Sequence, residues 1–273
     1  MIVDGRVLAN EVLARAKARA RELSRVPRVL GIVANTTPAT QSYLRIKEKR
    51  ATDAGCVFEV QRFLEDTNAD LLCRAIAATN ADTVIVQLPL PSGIDTKKVC
   101  DAIPLEKDAD VLSSVARTKF EHGDADALLP PVVAAVREIF IQYTIEVKGK
   151  SAVVIGNGWL VGNPCAVWLK QQGAEVSMVT LESGDLAAAL SVADIVISGA
   201  GSPHLIKPDM IKEGVVLIDA GTSDSGGALA GDADPACAEK CALFTPVPGG
   251  VGPLAVACLF ENAVTLTERA MNS

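Results

Sequence analysis

The sequence has 273 residues, with 26 Lys or Arg against 33 Asp or Glu, so its formal net charge is −7 at pH 7. This balance argues against a nucleic-acid-binding surface, which neutralises phosphates with clustered basic side chains. Residues 1–20 carry an acid or a base every few positions, and no stretch holds about 18 uncharged apolar residues. We therefore expect a soluble, cytoplasmic protein that is neither exported nor inserted in a membrane.

The seven cysteines are odd in number and scattered, and only two histidines could join them in a metal site. Cys237 and Cys241 have helical spacing, but no further Cys or His cluster accompanies them. We therefore predict buried free thiols in a reducing compartment, and no bound metal.

The first half of the chain alternates short β-rich runs with segments of helical periodicity, which is typical of a parallel α/β sheet. The predicted strands are residues 29–34, 56–63 and 83–88. The predicted helices are residues 41–54, 69–79 and 96–102.

A polar segment at residues 121–126, followed by two prolines, precedes a second α/β series that begins with a predicted helix at 133–142. We place the domain boundary near residue 127. A final amphipathic run at residues 253–270 predicts a helix that returns to the first domain. The predicted domains are therefore 1–127 completed by 253–273, and 128–252. The flanks of the predicted strands of the second domain are almost continuously apolar, as in a sheet covered on both faces. These strands are residues 152–155, 175–179, 195–198, 215–219 and 242–245.

A glycine pattern, G-x-G-x-x-x-G, joins the first of these strands to a predicted helix at 161–171. Gly156, Gly158 and Gly162 would let the backbone approach a pyrophosphate, and the free N–H groups at a helix start favour negative charge. Asn157-Gly158 is also an ordinary turn dipeptide, so the inference depends on the strand before it and the helix after it. In that context the pattern predicts a dinucleotide-binding loop.

Glu182 lies 20 residues after Gly162, where a Rossmann acid accepts a hydrogen bond from the adenosine ribose 2′-hydroxyl. A carboxylate there repels a 2′-phosphate, and no Arg or Lys lies between Lys170 and Lys207. The local charge therefore favours NAD over NADP. The alternative is that Glu182 is only a solvated residue at a strand end.

Four segments are more specific than the glycine pattern: TPVPGGVGP at residues 245–253, VIVQLPLP at 84–91, PATQSY at 38–43 followed by Lys47, and KDAD at 107–110. With the glycine loop, they resemble the bifunctional methylenetetrahydrofolate dehydrogenase/methenyltetrahydrofolate cyclohydrolase family over nearly the whole chain. The resemblance implies a two-domain α/β fold, with an N-terminal folate domain and a Rossmann-like NAD(P)-binding domain with a parallel sheet.

The resemblance also implies roles for single residues. Tyr43 and Lys47, four apart, share one face of a helix, and a lysine shielded from water can exchange a proton near neutral pH. Lys47 would be the central catalytic group of the cyclohydrolase step, and Gln87 would orient it. Asp110 would bind the pterin ring, and Tyr43 would flank the aminobenzoyl group. An ordinary surface lysine is the alternative for Lys47, and the four matching motifs argue against it.

We group these four residues, Lys47, Tyr43, Gln87 and Asp110, as the predicted catalytic set. The predicted substrate-binding residues are Tyr43, Gln87, Leu88, Pro89, Asp110, Pro248 and Gly249. The predicted cofactor-binding residues are Gly156, Asn157, Gly158, Gly162, Pro164, Glu182 and Thr222.

The sequence departs from the family pattern mainly around the cofactor. Gly156-Asn157-Gly158 stands where the family usually has Gly-x-Ser, and residues 130–135 lack a family Thr and Gly. Near Asp110, Val111 stands where a glycine is expected. The folate-side residues are kept. The family norm indicates NADP as cofactor, whereas the local charge indicates NAD.

The leading hypothesis is an enzyme that oxidises 5,10-methylenetetrahydrofolate with NADP or NAD and hydrolyses the 5,10-methenyl product to 10-formyltetrahydrofolate. One alternative is a monofunctional NAD-dependent dehydrogenase. Another is a folate-binding regulatory protein without turnover. The expected partners are tetrahydrofolate substrates and a second copy of the chain, with no nucleic acid and no membrane.

Overall fold

The computed structural model describes residues 1–35, 37–64, 66–180, 185–225 and 228–272. The chain forms two compact units. The three-stranded unit consists of Asn10–Pro131 and Val256–Ser273, and the five-stranded unit of Met1–Ala9 and Val132–Ala255. No helix among the described residues is long and apolar enough to cross a membrane.

The three-stranded unit contains a parallel sheet whose strands are β1 (Arg28–Val33), β2 (Val57–Arg62) and β3 (Thr83–Val86). β1 lies in the middle, with Val29 opposite Phe58 on one side and Thr83 on the other. The helices of this half of the chain are α1 (Gly5–Glu22), α2 (Pro38–Asp53), α3 (Ala69–Ala78), α4 (Thr96–Asp101) and α5 (Ser114–His122).

Apolar side chains from both strands and helices form the core of the three-stranded unit. Ile32, Ile85, Leu72 and Ile76 are at most 1% exposed, and burying each such side chain stabilises the fold by roughly 1.5–3 kcal/mol. β1 and β3 are buried along nearly their whole length, whereas β2, at the edge, is half exposed. The carboxyl ends of β1 and β3 therefore meet at one edge of a well-packed sheet, beside the start of α2.

The five-stranded unit contains a second parallel sheet, with helices α6 (Pro131–Gln142), α7 (Gly162–Gln171) and α8 (Leu186–Leu190). The strands of this sheet are β4 (Ser151–Ile155), β5 (Glu175–Val179), β6 (Ile195–Ser198), β7 (Val216–Asp219) and β10 (Leu243–Phe244). A separate antiparallel pair, β8 (Ser223–Ser225) and β9 (Ala228–Ala230), lies between β7 and β10 in the sequence. The sheet order is β10-β7-β6-β4-β5. The chain ends with α9 (Val251–Asn272).

The order in which strands are added to this sheet reverses at β4. β5 lies on one side of β4, whereas β6, β7 and β10 lie on the other. Such a reversal opens a crevice at the carboxyl ends of β4 and β6, where α/β proteins bind ligands. The glycine loop follows β4, so the topology places it at this crevice.

The predicted α/β class is confirmed, since both main sheets are parallel and joined through helices. Strands Glu175–Val179 and Ile195–Ser198 have the predicted bounds. The prediction that a strand reaches residue 88 was wrong: β3 ends at Val86, and Pro89 has no N–H to continue the ladder. The sequence pattern did not predict α1, α5, α8 or the β8–β9 pair.

The compact units divide at Pro131 and again at Ala255. Met1–Ala9 joins the five-stranded unit because its first residues extend the sheet beyond β10: Val3 N donates to Phe244 O (2.9 Å), and Phe244 N donates to Met1 O (2.9 Å). The assignment of residues 1–127 with 253–273 as the folate domain, and of 128–252 as the cofactor domain, stays a prediction.

Candidate active site

The central contact of the candidate site joins Lys47, on α2, to Gln87, directly after β3. The Lys47 Nζ atom donates to Gln87 Oε1 over 3.0 Å. The Gln87 amide is held from its other end, because Nε2 donates to Leu88 O (2.8 Å), and its backbone N–H donates to Ile32 O (2.9 Å). These contacts fix the amide with its oxygen toward the lysine.

The electrostatics of Lys47 involve burial and one carboxylate. Both Lys47 and Asp110 are partly buried. Burial lowers the pKa of Lys47 below its ordinary value, and the charge of Asp110 partly opposes this. Burial likewise raises the pKa of Asp110, and the charge of Lys47 partly opposes that shift. A lysine with a lowered pKa can take up and release a proton nearer neutral pH than an exposed one.

Asp110 lies in a short loop shaped by Asp108, to which sequence analysis assigned no role. Asp108 is 1% exposed, and its carboxylate accepts hydrogen bonds from Leu112 N (3.0 Å) and Ser113 N (2.7 Å). Val111, between Asp108 and Leu112 in the sequence, adopts φ 56, in the left-handed region. The only sequence signal for Asp108 was its place in the KDAD motif.

The other predicted folate-side residues lie in both units. Tyr43 is partly buried on α2, one turn before Lys47. Leu88 and Pro89 follow Gln87 directly and are joined by a cis peptide bond. Pro248 and Gly249 belong to the five-stranded unit, where Gly249 has φ 115 and its carbonyl accepts from Gly5 N (2.9 Å). The substrate-binding roles of all these residues stay predictions.

The glycine loop after β4 is closely packed at two of its three glycines. Gly156 has φ 91, and a Cβ on Gly162 would lie 1.9 Å from the Gly156 carbonyl oxygen. Only glycine therefore fits at position 162, where α7 begins. The helix starts with no side chain capping it, and Pro164 is buried in its first turn. A loop of this shape at an uncapped helix start fits the pyrophosphate of a dinucleotide.

The remaining predicted cofactor residues are exposed or lie outside the described residues. Asn157 and Gly158 are exposed, and a Cβ on Gly158 would have no atom within 4 Å. Thr222 is exposed in the loop after β7. Glu182 lies outside the described residues, so the proposed effect of its charge on cofactor choice stays a prediction. Within the described part of the chain, no group of three or more His, Cys, Asp or Glu side chains could hold a metal ion.

One unit has a parallel sheet with a glycine loop at the point where its strand order reverses, and the other carries a shielded lysine on helix α2. Together these features define a dinucleotide-dependent enzyme of two α/β units. Residues 3–110 match the model of the tetrahydrofolate dehydrogenase/cyclohydrolase catalytic domain, and residues 130–271 match that of the family's NAD(P)-binding domain. The chain belongs to the tetrahydrofolate dehydrogenase/cyclohydrolase family. The predicted family and the prediction that the chain is an enzyme are both confirmed, and its cofactor class is NAD(P).

Similar proteins cover the chain from end to end. The Bifunctional protein FolD of Moorella thermoacetica is 38% identical over 280 residues, which span 98% of this chain and 99% of that protein. The bifunctional FolD methylenetetrahydrofolate dehydrogenase/cyclohydrolase of Campylobacter jejuni is 30% identical, with a TM-score of 0.95 and 99% of each chain covered. The Trypanosoma brucei enzyme, in complex with NADP and an inhibitor, is 30% identical, with a TM-score of 0.94 and coverage of 100% of this chain and 99% of that one.

Proposed function

We propose that the protein oxidises 5,10-methylenetetrahydrofolate to the 5,10-methenyl compound and then hydrolyses that compound to 10-formyltetrahydrofolate. The observation that carries this proposal is the hydrogen bond from Lys47 Nζ to Gln87 Oε1, with the charge of Asp110 acting on the same lysine. Family membership supplies the substrate class, and both activities are named for the Campylobacter jejuni relative.

The hydrolysis needs a group that moves protons while water adds to the methenyl carbon. Lys47 suits this role because burial favours its neutral amine, which accepts a proton from the attacking water. The resulting ammonium can return the proton to a ring nitrogen as the bridge opens. Gln87 holds the amine in place from one side, and Asp110 binds the donor edge of the pterin ring.

The oxidation requires mainly that two rings be held against each other. A bound dinucleotide would supply the acceptor for the hydride that leaves the one-carbon methylene group. The loop of Gly156–Gly162 and the start of α7 would hold the pyrophosphate, and Thr222 lies in the loop after β7. The protein's contribution to this step is orientation.

We further propose that NADP is the preferred cofactor and that NAD is also accepted. NADP is the cofactor held by the Trypanosoma brucei relative. In this sequence Glu182 and the lack of any Arg or Lys between Lys170 and Lys207 weaken the attraction for a 2′-phosphate. The preference for NADP is therefore expected to stay within about 100-fold, about 2.7 kcal/mol, in kcat/KM.

A paired assay tests the proposal. Purified protein is given methylenetetrahydrofolate with NADP or NAD, and reduced cofactor is followed by absorbance; consumption of methenyltetrahydrofolate is measured separately without dinucleotide. We expect both activities. Hydride transfer without hydrolysis would indicate the monofunctional dehydrogenase, and neither activity would indicate a binding protein. Reduction of only one dinucleotide would contradict the proposed dual use.

We also propose that the protein is a cytoplasmic homodimer formed through the five-stranded unit. All seven cysteines lie in the described residues and none forms a disulfide bond, as expected in a reducing compartment. The first residues of the chain cover the β10 edge of the large sheet. The β5 edge keeps Ser177 and Met178 exposed, and it is the surface to which we assign the second copy.

A further inference from the structure

We propose that Asp232 is a positioning residue for the dehydrogenase: it fixes the loop after β6, residues 199–202, and through it the dinucleotide-binding loop after β4. This inference rests on the proposed function. The carboxylate of Asp232 accepts hydrogen bonds from Ser198, Ala200 and Ser202, and it lies outside the sequence motifs.

Asp232 is fully buried, and three donors converge on its carboxylate. Oδ2 accepts from the Ser198 hydroxyl (2.6 Å) and from Ala200 N (2.7 Å), and Oδ1 accepts from Ser202 N (2.7 Å). Ser198 is the last residue of β6. One side chain therefore spans the strand end and the whole loop that follows it, and hydrogen bonds to a charged acceptor are stronger than those between neutral groups.

A second buried carboxylate, Asp219 at the end of β7, holds the backbone of Asp232. Its Oδ1 accepts from Asp232 N (3.1 Å) and Gly221 N (3.0 Å), and its Oδ2 accepts from Ala233 N (2.8 Å). Gly221 packs tightly against the side chain of Asp232, because a Cβ on Gly221 would lie 2.1 Å from the Asp232 carboxyl carbon. The position of the Asp232 carboxylate is therefore set by Asp219 and by the close packing of Gly221.

The loop after β6 is packed in turn against the dinucleotide loop. A Cβ on Gly199 would lie 2.4 Å from Val161 Cγ1, and a Cβ on Gly156 would lie 2.9 Å from Gly199 O. The two loops therefore touch backbone to backbone. A change in the path of residues 199–202 must move Gly156 and Val161, which precede the start of α7.

The position of these two loops in the sheet explains why the affinity for the dinucleotide should depend on the contacts of Asp232. β4 and β6 are the strands between which the sheet order reverses, and their carboxyl ends border the crevice that binds a dinucleotide in such sheets. Two buried carboxylates are costly to place in a core. Their hydrogen-bond donors are the Ser198 hydroxyl and backbone N–H groups in the loop after β6, in the loop after β7 and at residues 232 and 233. These contacts give both loops a defined path.

The test is Asp232→Asn, which keeps the size of the side chain but directs an amide N–H₂ group at donors. We expect the KM and the dissociation constant of NADP to rise about tenfold or more, since hydrogen bonds to a charged group are lost and one donor is left unsatisfied. Hydrolysis of methenyltetrahydrofolate without dinucleotide should be unchanged. The matched control is Asp234→Asn, two residues away, whose carboxylate contacts Lys207 and Ala236 N instead.

Three outcomes would overturn the proposal: an unchanged NADP dissociation constant, an equal loss of both activities, or the same shift in Asp234→Asn. If Asp232→Asn does not fold, Ser198→Ala removes a single contact, and a dissociation constant unchanged by that variant also overturns it. Direct binding of NADP to the unmodified protein separates this proposal from the proposed function. A parent protein that binds but does not turn over refutes the function alone, whereas one that does not bind refutes both.

Discussion

At the scale of single residues, Val111 shows how the chain keeps a loop shape despite an unexpected side chain. A β-branched residue in left-handed backbone costs about 1–2 kcal/mol relative to glycine, yet Val111 adopts φ 56 beside Asp110. Two hydrogen bonds to the buried Asp108 carboxylate, from Leu112 N and Ser113 N, hold this conformation. Val111, which stands where a glycine was expected, therefore adds local strain. The backbone still adopts the left-handed conformation that a glycine would adopt without strain.

Lys47 gives the sharpest residue-scale prediction. Lys47→Met should lower the cyclohydrolase rate about 100-fold or more, because the group that moves the proton is removed. Lys47→Arg should lose as much, since a guanidinium stays charged and cannot act as the base. In the parent protein, the rate should rise as pH increases through the lowered pKa of Lys47, because the neutral amine is the active form.

Lys49→Met is the matched control, since Lys49 is exposed on the same helix. It should leave the rate and its pH dependence unchanged. Circular dichroism should show all three variants folded. Parent-level hydrolysis by Lys47→Met would rule out the assigned role.

At the scale of elements, the predictability of each segment follows from whether its signal is local. β6 has the predicted bounds because Ile195, Val196 and Ile197 form an apolar, β-branched run between Asp194 and Gly199. β5 also has the predicted bounds, and its apolar residues Val176, Met178 and Val179 are interrupted by Ser177. α1 was not predicted because charged residues interrupt its apolar stripe in the sequence. The buried residues of that stripe include Leu8, Val12 and Ala16. The hydrogen bond between Lys47 and Gln87 was expected from the family resemblance and because a lone amide in an apolar strand needs a partner. Asp108 and Asp232 could not be assigned roles, because their partners, backbone N–H groups and the Ser198 hydroxyl, are brought to them only by the fold.

The start of α2 offers an element-scale prediction. Thr37 caps this helix by accepting a hydrogen bond from Thr40 N (3.2 Å). Thr37→Ala should lower the free energy of unfolding by about 1 kcal/mol, because the cap is lost. Thr52→Ala, near the other end of the same helix, should change it by less than about 0.5 kcal/mol. Urea denaturation measures both, and equal effects would show that Thr37 does not act as a cap.

At the scale of the whole molecule, the two units divide the chemistry between them. The three-stranded unit carries Tyr43, Lys47, Gln87 and Asp110, and the five-stranded unit carries the glycine loop. α1 and α9 each contribute residues to both units. The chain therefore cannot be cut at one point into two complete pieces, and variants in the full-length chain are the appropriate way to test each activity.

The proposed dimer is testable at this scale. An exposed strand edge tends to pair with another chain, and a lysine placed on it blocks such pairing. Light scattering should give twice the mass of one chain for the parent protein and a shift toward one chain mass for Met178→Lys. Val192→Lys, on an exposed residue outside the strands of the same unit, should leave the mass unchanged. A parent protein with the mass of a single chain would contradict the dimer.

The open space around Gly158 has a practical consequence for redesign. Gly156 and Gly162 are confined by neighbouring backbone, whereas a Cβ at position 158 would have no atom within 4 Å. The loop therefore separates the residues that set its shape from one that is free to vary. Random libraries at position 158 could be screened for altered coenzyme use while the scaffold itself stays intact.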